Sequence, residues 1–211
     1  MLCEECRGRM PRLGPPVCAR CGIGLPGAFD AEVECASCRT ASPAFEMARA
    51  PWGYAGAAQE VVQQFKYRRR WRLGRWLAES MAAEARAVFP LDEVDAVVPV
   101  PPHWFKRRLQ GFNAAEDLAS AVARSLDKPY VPRALSRRRW TVTQTRLSWQ
   151  ARSRNVRGAF TARAEGQGHR SLLLVDDVLT SGATANACAR ALKAAGVARV
   201  FVLTAARTPL S

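Results

Sequence analysis

The sequence lacks any apolar run that approaches the ~20 residues a helix needs to cross a membrane. Its first ten residues, MLCEECRGRM, also lack the apolar core of a secretory signal. These two absences argue against a membrane-spanning or secreted protein and predict a cytoplasmic chain without a membrane span. With 211 residues, 48% of them hydrophobic, the chain is long enough for one sizeable domain and a small module.

Lysine and histidine are scarce, with four and two residues, although the formal net charge is +14. Arginine therefore carries the charge, and it is concentrated in two segments without acidic residues, Lys66–Arg75 and Arg133–Arg157. A GC-rich genome and solvated faces would explain arginine in place of lysine, but they do not explain acid-free segments. The clusters predict a polyanionic ligand, either a phosphorylated metabolite or nucleic acid.

Six of the seven cysteines occur in C-x-x-C pairs, a spacing that lets two thiolates point at one metal ion. A disulfide framework is the alternative, but it suits secreted proteins. Gly22 directly after Cys21 is typical of a zinc-binding knuckle. We predict structural Zn²⁺ held by Cys18, Cys21, Cys35 and Cys38, with Cys3 and Cys6 either spare or a partial second site.

Apolar periodicity alternates between strand-like and helix-like segments after the cysteines. It predicts strands at Val94–Val100, Ser171–Val175 and Val200–Thr204 and helices at Gln59–Arg70, Leu73–Val88, Ala114–Leu126 and Ala183–Ala195. Strands alternating with helices indicate an α/β fold with a parallel sheet flanked by helices. We predict a cysteine-rich module at 1–45, similar to a double zinc ribbon, before an α/β domain at 46–211.

The segment LLLVDDVLTSGAT, residues 172–184, combines an apolar strand, an acidic pair and a small-residue loop that enters a helix. Ligands bind at the carboxyl ends of parallel strands, and a helix amino end suits a phosphate. The lysine of a nucleoside-triphosphate P-loop is missing, which excludes that motif. Carboxylates accept hydrogen bonds from sugar hydroxyls and help to retain Mg²⁺, so the segment predicts a ribose 5-phosphate site.

Residues 172–184 resemble the phosphoribosyl pyrophosphate (PRPP) motif of type I phosphoribosyltransferases. The cysteine pairs, VPVPPHWFKRRLQGFNAAEDLA and TQTRLSWQARSRNVRGAF extend the resemblance to the ComF family of competence-associated, phosphoribosyltransferase-like proteins. This resemblance covers nearly the whole chain. It implies a type I phosphoribosyltransferase-like α/β domain that binds PRPP together with Mg²⁺.

The resemblance also implies roles for individual residues. Ribose hydroxyls would be held by Asp176 and Asp177, and the 5-phosphate by Thr180, Ser181, Gly182, Ala183 and Thr184. Pyrophosphate would lie at the turn Val100, Pro101 and Pro102, with cations from Lys106, Arg107 and Arg108, and the alternative for these three is the start of a basic helix. Lys66 would reach a phosphate or else lie on a solvated helix face. Gln144, Arg152 and Asn155 would belong to a mobile loop that closes over PRPP.

The leading functional hypothesis is transfer of the phosphoribosyl group from PRPP, with an acceptor that the sequence does not identify, linked to DNA uptake. A second hypothesis is a non-catalytic protein that binds single-stranded DNA or DNA-uptake proteins. It rests on the resemblance to the ComF family, the net charge, the zinc module and four tryptophans near basic runs, Trp71, Trp76, Trp140 and Trp149. A degenerate fold that serves as a partner scaffold is the third.

Overall fold

A parallel β-sheet forms the centre of the chain. The structure, a computed structural model, describes residues 3–27, 32–68, 70–102, 113–138, 156 and 158–209. Its strands are β1 (Met47–Arg49), β2 (Trp52–Gly53), β3 (Ala96–Pro99), β4 (Leu135–Arg137), β5 (Phe160–Ala162), β6 (Ser171–Leu179) and β7 (Arg199–Arg207). The main sheet has the order β1-β7-β6-β3, with β2 also paired to β7, and all of these pairings are parallel. The strands β4 and β5 form a separate antiparallel pair.

Helices lie on both faces of this sheet. In the described residues they are α1 (Glu4–Gly8), α2 (Ala36–Ala41), α3 (Gly56–Arg68), α4 (Trp71–Val88), α5 (Ala114–Leu126) and α6 (Ala183–Ala194). The amino end of α5 is capped by Asn113, whose side-chain oxygen accepts a hydrogen bond from the Ala115 N–H at 3.3 Å. This helix has the bounds that the sequence predicts.

The sheet separates two apolar cores, because successive side chains of a strand point to opposite faces. Leu173 and Val175 of β6 join the core that contains α3, α4 and α5. Leu172 and Leu174 join the core that contains α6 and the cysteine-rich segment. All four side chains are fully buried, and each contributes about 1.5–3 kcal/mol of hydrophobic free energy. β6 is thus a central strand with two apolar faces.

The predicted fold class, a parallel sheet flanked by helices, is confirmed, and the strand ends differ in detail. β6 and β7 run beyond their predicted ends, to Leu179 and Arg207. The pair β4 and β5 lies in residues 131–170, for which the sequence predicts no element. Strands of three residues show too little alternation to be recognised.

The cysteine-rich segment packs directly on the sheet. Cys18, Cys21 and Cys38 are buried in the same core as Leu172 and Leu174. The boundary near residue 45 therefore stays a prediction. No helix in the described part of the chain combines the length and the apolar character that a membrane crossing requires.

Candidate functional site

The chain connections change sides between β3 and β6. α5 follows β3 and packs in the core that contains Leu173, whereas α6 follows β6 and packs in the core on the opposite face. Neighbouring parallel strands whose helices leave to opposite faces form a crevice at their carboxyl ends, where α/β proteins bind ligands. Residues 100–102, directly after β3, and the second half of β6 therefore define the described part of the candidate site.

Asp176 and Asp177 lie where β6 extends beyond β3. The last pair between these strands is Pro99 with Val175, and the Val100 N–H donates to the Val175 carbonyl at 2.8 Å. The prediction that the strand ends at Val175 is wrong, because β7 continues to pair with β6 as far as Leu179. The aspartates nevertheless lie in the crevice, just beyond the carboxyl end of β3, which is where the sequence predicts a ligand site. They also touch each other, since the Asp177 N–H donates to Asp176 Oδ1 at 2.8 Å.

Lys66, from the last turn of α3, forms an ion pair with Asp177. Its neighbour Phe65 is buried against Gly74 of α4, where a Cβ atom would lie 2.4 Å from the Phe65 ring. This close contact fixes the end of α3 over the site. Burial is the largest single influence and lowers the pKa of Lys66, but the Asp177 carboxylate, together with Asp176 and Tyr67, raises it, so the pKa is raised overall and the ammonium stays charged.

Asp176 lies in a less favourable electrostatic environment. Burial raises the pKa of Asp176 to about 7, the Asp177 charge adds to this rise, and Lys66 and Arg137 oppose it. The carboxyl is thus ionised above about pH 7 and protonated below it. A ligand that supplied hydrogen-bond donors or a cation would stabilise the ionised Asp176 carboxylate.

The loop after β6 leads into the amino end of α6. Gly182 has φ +76°, a left-handed conformation that glycine adopts without strain, and its carbonyl accepts the Asn186 N–H at 2.8 Å. The Ser181 hydroxyl accepts a hydrogen bond from the Ala183 N–H at 3.4 Å. Backbone N–H groups at the start of a 12-residue helix, the helix dipole and the hydroxyls of Thr180, Ser181 and Thr184 together suit a phosphate.

The other predicted site residues divide into two groups. Val100 is buried and Pro101 and Pro102 are partly buried directly after β3, at the mouth of the crevice. The remaining residues lie outside the described part of the chain: Lys106, Arg107, Arg108, Gln144, Arg152 and Asn155. Their roles stay predictions.

Four cysteines come together in the cysteine-rich segment. The sulfur atoms of Cys18, Cys21, Cys35 and Cys38 all lie within 4.8 Å of one another. The Cys21 and Cys35 sulfurs are 3.8 Å apart, too far for a disulfide bond. A tetrahedral zinc site with Zn–S bonds of about 2.3 Å places its sulfurs roughly 3.8 Å apart. The cluster could therefore hold a zinc ion.

Hydrogen bonds within the cluster also suit thiolate ligands. The backbone N–H groups of Cys21 and Cys35 donate to Cys18 Sγ at 3.4 Å and 3.2 Å. Cys3 is exposed and Cys6 partly buried, and both lie outside the four-cysteine group. The four cysteines selected from the sequence are thus the ones that the fold brings together.

Comparison with known proteins identifies the family. No family model matches the chain. The chain is 28% identical to competence protein F of Haemophilus influenzae, a match that spans 98% of this chain and 90% of that protein. It is 31% identical to the DNA utilization protein YhgH of Escherichia coli K12, again over 98% of this chain and 90% of that protein. The chain belongs to the ComF family.

A solved structure is also similar to this ComF chain. It is the glutamine phosphoribosylpyrophosphate (PRPP) amidotransferase from B. subtilis complexed with ADP and GMP, at 26% identity and a TM-score of 0.40. The match covers 61% of the ComF chain and 25% of the amidotransferase chain.

Sequence reasoning missed one residue of this ComF site, Arg207 at the end of β7. The side chain is buried and contacts both Cys21 and the first residues of the loop after β6. A charged residue at the end of an apolar strand, VFVLTAAR, was the available signal. A buried arginine requires acceptors, but the sequence does not show which ones.

Proposed function

We propose that this ComF protein binds PRPP with Mg²⁺ in the crevice between β3 and β6 and acts as a phosphoribosyltransferase in a process linked to DNA uptake. The support comes from one juxtaposition: the acidic pair and the amino end of α6 border the same crevice on consecutive parts of the chain. The relatives' names, competence protein F and DNA utilization protein, support the link to DNA.

Each half of the motif matches one half of a ribose 5-phosphate. The loop from Thr180 to Thr184 would hold the 5-phosphate through N–H groups and hydroxyls. Asp176 and Asp177 would accept hydrogen bonds from the ribose hydroxyls, and these carboxylates would also hold Mg²⁺ directly or through water. Val100, Pro101 and Pro102 would border the pyrophosphate.

The proposed reaction is a substitution at ribose C1. The bond from C1 to the pyrophosphate oxygen breaks, and the acceptor forms the new bond to C1. Mg²⁺ would supply charge neutralisation to the departing pyrophosphate. The Lys66 ammonium, which is paired with Asp177, would add a fixed positive charge beside the ribose.

Calorimetry with PRPP and MgCl₂ tests the binding. At pH 8 we expect one PRPP per chain, and no binding after Mg²⁺ is withheld. At pH 6 we expect weaker binding, because Asp176, with its pKa raised to about 7, is then protonated and loses acceptor capacity. Ribose 5-phosphate without pyrophosphate is the matched ligand and should bind less tightly. Absence of binding at pH 8 by folded, metal-loaded protein would contradict the proposal.

Zinc is proposed as the structural ion of the four-cysteine cluster. Cys18, Cys21, Cys35 and Cys38 would supply four thiolates and leave no open position, which is the arrangement of structural rather than catalytic zinc. The ion would join the two cysteine pairs and so hold the segment on the sheet.

A second candidate function, single-stranded DNA binding, is favoured by the surface at the junction of α3 and α4. Tyr67 and Trp71 are each 65% exposed, and Arg68 and Arg72 beside them are exposed as well. Exposed aromatic and basic side chains together form the surface on which single strands stack. Trp76 does not belong to it, since it stacks on Trp52 at 5.6 Å, and Trp140 and Trp149 lie outside the described residues.

Oligonucleotide binding tests this second function. Fluorescence anisotropy with a single-stranded oligo-dT should show an affinity that falls steeply between 50 and 200 mM salt, on the order of tenfold or more if several phosphates are contacted. Arg68→Gln/Arg72→Gln should reduce both the affinity and the salt slope. Arg7→Gln/Arg9→Gln removes the same charge from exposed positions of the cysteine-rich segment and serves as the control. Equal effects of the two pairs would refute a specific surface at α3 and α4.

A further inference from the structure

Arg207 is a buried side chain that reaches two separate parts of the molecule. It is 6% exposed and lies at the end of β7, paired with Leu179 of β6 on one side and Gly53 of β2 on the other. Its guanidinium therefore sits between the cysteine-rich segment and the start of the loop that precedes α6. No carboxylate in the described residues lies within ion-pair distance of it.

At one end the guanidinium contacts Cys21. Arg207 Nε donates to the Cys21 carbonyl at 3.2 Å, and Nη2 donates to Cys21 Sγ at 3.7 Å. The following residue, Gly22, fits closely on β1, since a Cβ atom there would lie 2.5 Å from the Ala48 carbonyl oxygen. Cys21 is thus held against the sheet, and Arg207 contacts it from within.

At the other end the guanidinium holds the loop backbone. Nη1 donates to the carbonyls of Leu179, at 3.0 Å, and of Thr180. These two residues directly precede Ser181 and Gly182, which lead into α6. Because the peptide unit is planar, holding these two carbonyls also fixes the direction of the Thr180 and Ser181 N–H groups.

The cysteine cluster would supply a counter-charge to Arg207 when it holds zinc. Four thiolates around one Zn²⁺ carry a net charge of −2, and a hydrogen-bond donor at a ligand sulfur stabilises that charge. A guanidinium with several donors in a fixed plane can serve the sulfur and the loop carbonyls at the same time. Arg207 thereby connects the metal centre and the loop through a single side chain.

We propose that Arg207 is a positioning residue that couples the four-cysteine metal centre to the phosphate loop Thr180–Thr184, so that metal retention and loop order depend on the same side chain. The effect on PRPP rests on the proposed function, whereas the coupling of metal and loop does not. Zinc binding would then strengthen PRPP binding, and linkage requires that PRPP strengthens zinc binding by the same factor.

Two measurements on zinc-loaded Arg207→Met test the coupling. Transfer of zinc to a chromophoric chelator should be faster by about tenfold or more, because a donor to Cys21 Sγ is lost. Amide hydrogen exchange at Thr180–Thr184 should also be faster by about tenfold, because the loop carbonyls lose a charged donor. Arg207→Lys keeps the charge but not the planar fork, and it should give intermediate values in both measurements.

Arg49→Met is the matched control. Arg49 is also a partly buried arginine at the cysteine-rich segment, and its Nη1 donates to the carbonyls of Ala19 and Ala48 at 2.9 Å and 2.8 Å. Within the described part of the chain, none of the hydrogen bonds of Arg49 reaches residues 179–184. Arg49→Met should therefore change zinc release at most, and leave loop exchange as in the wild type.

A change in only one measurement, or equal effects of Arg49→Met and Arg207→Met on the loop, would overturn the coupling. If Arg207→Met does not fold, Arg207→Lys decides by the same two readouts. The wild type gives a test without substitution: PRPP should slow zinc release several-fold, and unchanged release in a protein that binds PRPP would overturn the proposal. If calorimetry shows no PRPP binding, the proposed function fails, and zinc release and loop exchange still decide the role of Arg207.

Discussion

Replacing both Asp176 and Asp177 by asparagine is expected to weaken PRPP binding by at least about 100-fold. Hydrogen bonds to a charged acceptor contribute about 1.5–3 kcal/mol each, and two such acceptors are lost together with their hold on Mg²⁺. Asparagine keeps the size of the side chain, so the loss reports on charge. Calorimetry at pH 8 with MgCl₂ measures the change.

The double substitution should leave the metal centre intact, since neither aspartate is part of the four-cysteine group. Zinc content by native mass spectrometry provides that check. Asp92→Asn/Glu93→Gln is the matched control: it removes the same charge from a short turn before β3, where Glu93 pairs with Arg199 at the start of β7. It should bind PRPP as the wild type does. PRPP affinity retained in Asp176→Asn/Asp177→Asn would remove the acidic pair from the site.

The two aspartates should differ when they are changed singly. Asp177 is paired with Lys66, so Asp177→Asn leaves a partly buried ammonium without its partner and should destabilise the free protein. Asp176 has a raised pKa, and ionisation of a group with a raised folded-state pKa lowers stability as pH rises toward that value. Asp176→Asn should therefore be tolerated better, and a neutral side chain there relieves repulsion with Asp177.

Local sequence patterns were sufficient to predict the parts of this fold that are built from contiguous residues. The helix Ala114–Leu126 carries its own cap and apolar stripe, and β6 carries an unbroken apolar run. The four-cysteine cluster is equally local, because each C-x-x-C pair brings two sulfurs together by its own turn. The choice of Cys18/Cys21 with Cys35/Cys38, made from the sequence on the glycine that follows Cys21, agrees with the four sulfurs that the fold brings together.

The contacts that tune the site were not predictable, because they join residues far apart in the chain. Lys66 meets Asp177 only because α3 ends over the carboxyl end of β6. Arg207 meets Cys21 because β7 ends beside the cysteine-rich segment. Neither Lys66 nor Arg207 lies in a sequence pattern that identifies its contact partner. The length of β6 likewise depends on its backbone pairing with β7, which continues to Leu179.

The change of side between β3 and β6 depends both on local elements and on contacts between distant parts of the chain. The sequence predicts the strands and the helices that follow them, but not the face to which each helix returns. The face to which each helix returns depends on the packing of its whole surface. Leu118 and Val122 of α5 pack in one core, and Cys188 and Leu192 of α6 pack in the other. The crevice, and with it the location of any ligand, is a consequence of that packing.

Loss of zinc is expected to have the largest effect on stability. Cys18→Ser and Cys35→Ser, which each remove one ligand from a different pair, should reduce the zinc content from one ion per chain to well below one. Structural zinc contributes about 10–16 kcal/mol in small zinc-binding peptides, comparable to the whole stability of a domain. The cysteine-rich segment should therefore unfold from the sheet, and the melting temperature should fall by many degrees. Elemental analysis and thermal unfolding measure the two effects.

Cys3→Ser/Cys6→Ser and Cys188→Ser are the controls, because they remove thiols that lie outside the four-cysteine group. Both should keep one zinc ion per chain. Wild-type protein without zinc would contradict the metal site, and zinc loss in Cys3→Ser/Cys6→Ser would show that the first pair contributes ligands. Because Cys18, Cys21 and Cys38 are part of the same apolar core as Leu172 and Leu174, removal of the ion should also loosen β6, and with it the acidic pair.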